Sequence, residues 1–275
     1  MKKSSILLFG LIFMPACIVL PPSTNTGPSP SPSVSSSPSS TTGTTVSPSV
    51  SPSASVTPVT SATPSASVPS LTKGLIAYLP FNGNANDESV NPTITRVEGA
   101  TLTKNRFGVD NKAYYFDGKS NYIYSNLDIN PSKYPNLTIT AWVRYTGEII
   151  NNKIAMVVSQ DNGGYDRSFG IDHRGGGFGW SAFAGTGVLG FKPIEKDKWT
   201  FLAIEYNQGK KVTNFYVNQE KITKENSETG TGNNFIRIGS NPGYGQFFQG
   251  DIDQVRIYNG SLSESEIKDI YNAVE

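Results

Sequence analysis

One cysteine, one histidine and no acidic residue before position 87 set the first limits on this chain of 275 residues. With Cys17 as the only thiol, no disulfide can close within the chain. Any histidine-based triad would have to use His173, and no His/Cys spacing suggests a zinc site. No phosphate-binding glycine loop follows a strand pattern. Charge of either sign is missing from residues 4–72, because Lys2 and Lys3 stand alone ahead of Lys73. All 22 acids and 21 of the 23 bases therefore lie in the C-terminal part. Such a near-neutral domain offers no electrostatic footprint for nucleic acid or for an anionic membrane. The longest apolar run, ending at Leu20, is short for a membrane span and is interrupted by Pro15.

Residues 1–17 read as an export signal, with Lys2 and Lys3 as the positive start and Ile6 to Phe13 as a short apolar stretch. Met14-Pro15-Ala16-Cys17 resembles the lipobox of bacterial lipoproteins. That resemblance implies lipidation of Cys17 and a membrane-anchored protein at the bacterial cell surface or envelope. The other reading is an incidental cysteine in a cleaved secretory signal, which makes the protein secreted. Residues 18–72 are almost only Ser, Thr, Pro, Val, Ala and Gly, with eleven prolines between Pro21 and Pro69 and no aromatic residue. Such a segment cannot bury enough apolar surface to offset chain entropy, so a disordered, extended linker is expected. Its Ser/Thr density with Pro also suits O-glycosylation.

From Lys73 to Glu275 the pattern changes to short runs of β-branched and aromatic residues. Leu75–Leu79, Ala113–Phe116, Tyr122–Tyr124, Leu137–Val143, Ala155–Val158, Phe169–Ile171, Phe178–Phe183, Trp199–Ile204, Phe215–Val217, Phe235–Ile238 and Ile252–Tyr258 read as strands. Turn clusters such as Asn82-Gly83, Asp117-Gly118 and Asn241-Pro242-Gly243 separate them. Many short strands with almost no helix predict an all-β fold, an antiparallel sandwich or jelly roll. One short helix is expected after Ser263, where Ser263 and Glu266 form a capping box and Ile267, Ile270 and Tyr271 share a face. It is expected to pack on the end of the sandwich.

The stretch from Leu75 to Ser89, then Gly99–Thr103, Arg106–Gly108, Ala113–Gly118 and Ala141–Val143, resembles laminin-G-like, concanavalin A-like jelly-roll domains. Gly250–Asn259, with Leu262-Ser263 and Glu266-Ile267, resembles their closing strand and helix. The resemblance spans essentially residues 73–275. It implies the fold, and it leaves function open among lectins, adhesion modules, binding modules attached to enzymes and glycosidases.

Oxygen-bearing side chains alternate from Asn82 to Asp87, as a Ca²⁺ site needs. The resemblance makes Asn84, Asp87 and Asp253 the candidate ligands of a structural Ca²⁺. The competing reading is a plain Asn/Gly turn. Laminarinase-type enzymes of this fold carry Glu-x-Asp-x-x-Glu on one strand. Here the corresponding places hold Asp251, Asp253 and Arg256, and an arginine cannot serve as the acid. Catalysis by that route is therefore not expected. Sugar recognition needs aromatic faces beside amides and charged groups. Tyr165, Asp166, His173, Arg174, Trp180, Asn241 and Tyr244 are the candidate ligand-binding residues, while Trp142 and Trp199 are expected in the core. Together these readings predict a non-catalytic surface module binding carbohydrate or a glycoprotein. The alternatives are a protein–protein adhesion module and, less in keeping with the residues, an uncharacterised hydrolase.

Overall fold

The computed structural model describes residues 71–274; the export signal, Cys17 and the linker up to residue 70 lie outside them. In chain order the strands are β1 (Leu75–Leu79), β2 (Thr95–Glu98), β3 (Thr101–Thr103), β4 (Ala113–Asp117), β5 (Tyr122–Ser125), β6 (Asn136–Tyr145), β7 (Ala155–Ser159), β8 (Ser168–Asp172), β9 (Gly179–Ala184), β10 (Gly187–Lys192), β11 (Trp199–Asn207), β12 (Val212–Val217), β13 (Glu220–Glu225), β14 (Ile236–Ile238) and β15 (Gln249–Asn259). A helix, α1 (Glu264–Asn272), follows. The strands make two antiparallel sheets. The first runs β13-β12-β11-β6-β15-β4-β3, with β1 also paired to β15; the second runs β10-β9-β8-β7-β14-β5-β2. This is the sandwich that the strand pattern predicts.

Alternation along each strand sends one set of side chains into the space between the sheets. From the first sheet these include Ile139, Ala141, Val143, Leu202, Ile204, Ile252 and Ile257; from the second, Ile123, Val158, Phe169, Ile171, Trp180 and Ile238. Each fully buried Ile, Leu or Phe contributes roughly 1.5–3 kcal/mol relative to exposure. Gly250 shows how closely the central strands approach. Its φ is +144°, and a Cβ there would lie 2.0 Å from the Arg144 carbonyl oxygen, so no side chain fits.

The helix starts as expected: the Ser263 hydroxyl accepts from the Glu266 N–H, and the Glu266 carboxylate accepts from the Ser263 N–H at 2.7 Å. Its position differs from the expectation. Ile267 and Ile270 pack with Trp142, Phe201, Ala203, Tyr216 and Tyr258, which line the outer face of the first sheet. The helix thus covers a sheet face rather than the end of the sandwich. Trp142, expected in the core, belongs to this second, outer cluster, and Trp199 packs at its margin. Among the described residues, no helix is long and apolar enough to cross a membrane.

A buried arginine closes one end. Arg167 is fully buried and donates to the carbonyls of Ile129 and Pro135 at 2.6 and 3.3 Å and to the Thr229 hydroxyl at 3.3 Å. Its guanidinium also stands 5.3 Å from the centre of the Tyr206 ring. Burial pulls its pKa down to about 10, which still leaves it charged at neutral pH. Arg167→Met would leave the buried Ile129 carbonyl without its donor, while the Pro135 carbonyl keeps the Gln208 N–H at 3.2 Å. We expect it to cost about 2 kcal/mol, within the ~1–3 kcal/mol of one orphaned group, measured as a shift in the urea midpoint at constant m.

Candidate binding surface

The outer face of the second sheet gathers most of the sequence-predicted ligand residues. In β9, Trp180 and Ala182 face the core, so the opposite parity turns Ser181 and Phe183 outward. Tyr165, held in the left-handed region at φ +56°, places its ring edge-on to Phe183 with centroids 5.2 Å apart. Backbone of this kind in a non-glycine residue costs about 1–3 kcal/mol and persists where its surroundings dictate it. The Arg174 guanidinium lies over both rings, 5.2 Å from Tyr165 and 5.1 Å from Phe183. Asp172 fixes it through paired contacts at 2.5 and 3.0 Å, and accepts the backbone N–H groups of His173 and Arg174 as well. The imidazole of His173 forms no ion pair among the described residues.

A second loop lies alongside. Asn241 is fully buried and donates to Asp161 Oδ2 at 2.8 Å and to Gln246 Oε1 at 2.9 Å, while its own oxygen accepts from Gly243 N–H. Its role is to fasten the loop, and its amide is not offered to a ligand. Asp161 Oδ1 accepts from Gly163 N–H at 3.0 Å. The Tyr244 hydroxyl approaches Gly163 so closely that a Cβ there would sit 2.8 Å away, yet Tyr244 as a whole is 60% exposed. Tyr165, Arg174 and Tyr244 therefore converge on one surface, with His173 at its margin.

With Asn241, two further expected members leave the set. Trp180 has no exposed area and sits in the main core, because its pairing with Ile171 turns it inward. It presents no face to a ligand. Asp166 is buried beneath Gly230 and Gly232, either of whose Cβ atoms would meet it within 3.0 Å. Burial raises its pKa, and the charge of Asp161 adds to this against the N–H groups of Asn162 and Gly164. Phe183, Asp161 and Asp172 are buried and support the surface without presenting a face to it, and Gln246 borders it; the sequence singles out none of them. The Phe183 signal was present in the alternation of β9, but its direction depends on pairing with β8.

The candidate calcium ligands do not fit an ion. Both Asp87 oxygens are spent on protein donors: Tyr78 and Ser89 N–H on one, Thr93 N–H and hydroxyl on the other, all within 2.9 Å. Burial alone would raise this carboxyl, and those donors outweigh it and hold the pKa below the ordinary value. Asn84 Oδ1 accepts from Asn86 N–H. Asp253 is buried and pairs with Arg106 at 3.4 Å, a cation that would repel a second one. Among the described residues, no three of His, Cys, Asp and Glu gather as a metal site.

A family model described as the concanavalin A-like lectin/glucanases superfamily matches residues 116–268. The chain belongs to this superfamily. The match begins within β4, so the opening strands that resemble the family lie ahead of it. Among solved structures, the superfamily fold of this chain is similar to domain 4 of AbnA, a GH43 extracellular arabinanase from Geobacillus stearothermophilus, in complex with arabinotriose. The identity is 19%, with a TM-score of 0.55 over 72% of this chain and 98% of that one. It is also similar to the botulinum neurotoxin serotype D binding domain, at 17% identity and a TM-score of 0.54, over 72% of this chain and 51% of that one. The binding domain of botulinum neurotoxin DC in complex with SialylT gives 16% and 0.56, with the same coverages. The chain thus spans about half the length of the neurotoxin domains it matches. No curated protein matches it. At these identities the likeness establishes the fold.

Two outcomes follow from the carboxylates. Removing divalent ions with chelator is expected to leave the melting temperature unchanged; a fall reversed by added Ca²⁺ would reveal a site elsewhere. Burial pushes the Asp253 carboxyl up to about 7, against the pull of Arg106 and Arg256. An acid raised above its ordinary 3.8 binds a proton more readily in the folded state, so stability falls as pH rises between those values. Asp253→Asn should therefore gain on the wild type across that window, by at most ~1.4 kcal/mol per pH unit. Urea titrations at several pH values measure this, and a pH-independent difference would show that the carboxyl is not raised.

Proposed function

We propose that the folded domain is a non-catalytic carbohydrate-binding module and that its ligand surface is the outer face of the second sheet. The observation that carries the reading is the exposed Tyr244 ring near the half-buried Tyr165 ring, with the Arg174 guanidinium held over Tyr165 and the buried Phe183 packed against it as support. Rings supply apolar faces for the C–H side of a sugar, and a guanidinium supplies donors for its hydroxyls. The arabinanase domain and the neurotoxin domain that were solved with arabinotriose and SialylT lend support at the level of fold.

Binding without catalysis is supported by how the acids are used. Asp172 is locked to Arg174, Asp161 to Asn241 and Gly163, and Asp251 to Arg144 at 2.7 Å. A general acid or base must exchange a proton with substrate, and a carboxylate held by a guanidinium is poorly placed to do so. Display at the bacterial envelope through a lipid on Cys17, with residues 18–72 as the spacer, completes the proposal and rests on the sequence signals.

A glycan array probed with the exported protein is expected to give saccharide hits. Tyr244→Ala should weaken them about tenfold, equivalent to ~1.4 kcal/mol. Silence on the array, together with a protein partner recovered by pull-down, would favour protein–protein adhesion instead.

A further inference from the structure

The opposite face of the sandwich carries an aromatic shelf that the loop surface does not use. Trp142 of β6 and Trp199 of β11 point outward from the first sheet, and Tyr271 of α1 stacks on Trp142 with centroids 5.4 Å apart. Phe107, 48% exposed, comes from the β3–β4 loop. These four rings help to line an open pocket of about 320 Å³. Arg106 holds the arrangement together. Its guanidinium lies 4.4 Å from the Phe107 ring centre and 4.7 Å from that of Trp142, and it donates to the Ala273 carbonyl at 2.8 Å. The end of α1 is thereby tied to the shelf.

A shallow, mostly aromatic surface of this kind suits a ligand that lies flat against rings. The charge pattern narrows the ligand. Arg106 already has Asp253 as its partner, and Arg144, whose guanidinium stands 5.7 Å from the Trp199 ring centre, has Asp251 at 2.7 Å. Arg106 is only 6% exposed and spends its N–H groups on Asp253 and the Ala273 carbonyl, so its guanidinium is closed to an anion by geometry, and that of Arg144 by its acid partner. What the shelf offers is the accessible area of the Phe107, Trp199 and Tyr271 rings, laid over the buried Trp142 and Arg106, with the Asn272 amide at its edge; these match the C–H faces and the oxygens of an uncharged sugar.

We propose that this shelf binds a neutral oligosaccharide, as a second site on the face opposite the loop surface. Sites on both faces would let one domain bridge two saccharide chains. The shelf and the loop surface stand independently, and either can fail without the other.

The chain's three tryptophans make the test specific. Trp180 is sealed in the core, the loop surface has none, and Trp142 and Trp199 are both on the shelf. The indole N–H signals of the intact ¹⁵N-labelled protein, assigned with Trp142→Phe and Trp199→Phe, are followed while arabinotriose, xylotriose, cellotriose and laminaritriose are added to about 10 mM, a range that detects millimolar Kd. The expected result is a saturable shift of the Trp199 signal with at least one sugar, with a smaller shift at the buried Trp142 beneath it, Trp180 unmoved, and a tenfold or greater weakening in Trp199→Ala. Phe107→Ala, at a half-exposed ring, gives the same readout should Trp199→Ala not fold. Shelf indoles silent with all four sugars would overturn the proposal. Sugar binding that Tyr244→Ala abolishes while those indoles stay silent would do the same and keep the loop surface. Self-association lost in Trp199→Ala, again without an indole shift, would assign the shelf to a second copy of the chain.

Discussion

Strand β15 must satisfy more partners than any simple ladder provides. One edge pairs with β6 from Gly250 to Asn259; the other pairs first with β4, up to Ile252, and then with β1, from Val255 onward. The change of partner falls at Gln254, a bulged residue at φ +50°. A bulge adds one residue without reversing the faces on either side. Ile252, Val255 and Ile257 therefore all enter the core, while Asp251, Asp253, Arg256 and Tyr258 remain outside. The consequence reaches the sheet surface. Asp251 and Asp253 stand opposite Arg144 and Trp142 of β6, so the ion pairs and the aromatic shelf are set by one strand register.

The other face is organised by polar contacts at the loops. Asn233 donates to the carbonyls of Gln160 and Asp161, Asn162 to that of Thr231, and Asn241 to the Asp161 carboxylate. Arg167 ties the segments carrying Ile129, Pro135 and Thr229 beneath them. These bonds join parts of the chain far apart in sequence. Loops fixed in this way present Tyr165, Arg174 and Tyr244 with little ordering left to do on binding, which lowers the entropic cost of association.

Which elements were legible in the sequence follows from where they sit. The central strands have alternating or continuous apolar residues, and each was found. The four that escaped notice, β2, β3, β10 and β13, are the outermost strands of the two sheets. An edge strand pairs on one side only and needs no strong apolar face, so Glu220–Glu225 and Thr95–Glu98 read as polar connections. Gly187 and Gly190 dilute β10 in the same way. The capping box of α1 is local and was readable in full; its docking face depends on Trp142, Phe201 and Tyr258, which are brought together only by pairing. The oxygens of Asn84 and Asp87 have a spacing that suits a turn or a metal equally. What separates the two is the donors from Tyr78 and Thr93, and spacing within the loop carries no information about them.

The two outer faces share one chemical pattern despite their different strands. On each, an arginine is fixed by a carboxylate and laid over aromatic rings: Arg174 by Asp172 over Tyr165 and Phe183, Arg106 by Asp253 over Trp142 and Phe107. A free arginine side chain has many conformers, and a carboxylate partner removes most of them before a ligand arrives. Once paired, the arginine contributes less net charge than directional N–H groups and a flat surface continuous with the rings. The acids are thus used to hold arginines, the arginines to hold and extend ring surfaces, and the remaining accessible chemistry is apolar area bordered by donors. Such surfaces suit a ligand with both C–H faces and oxygens, and this is the chemistry on which the proposal of carbohydrate binding rests for both faces.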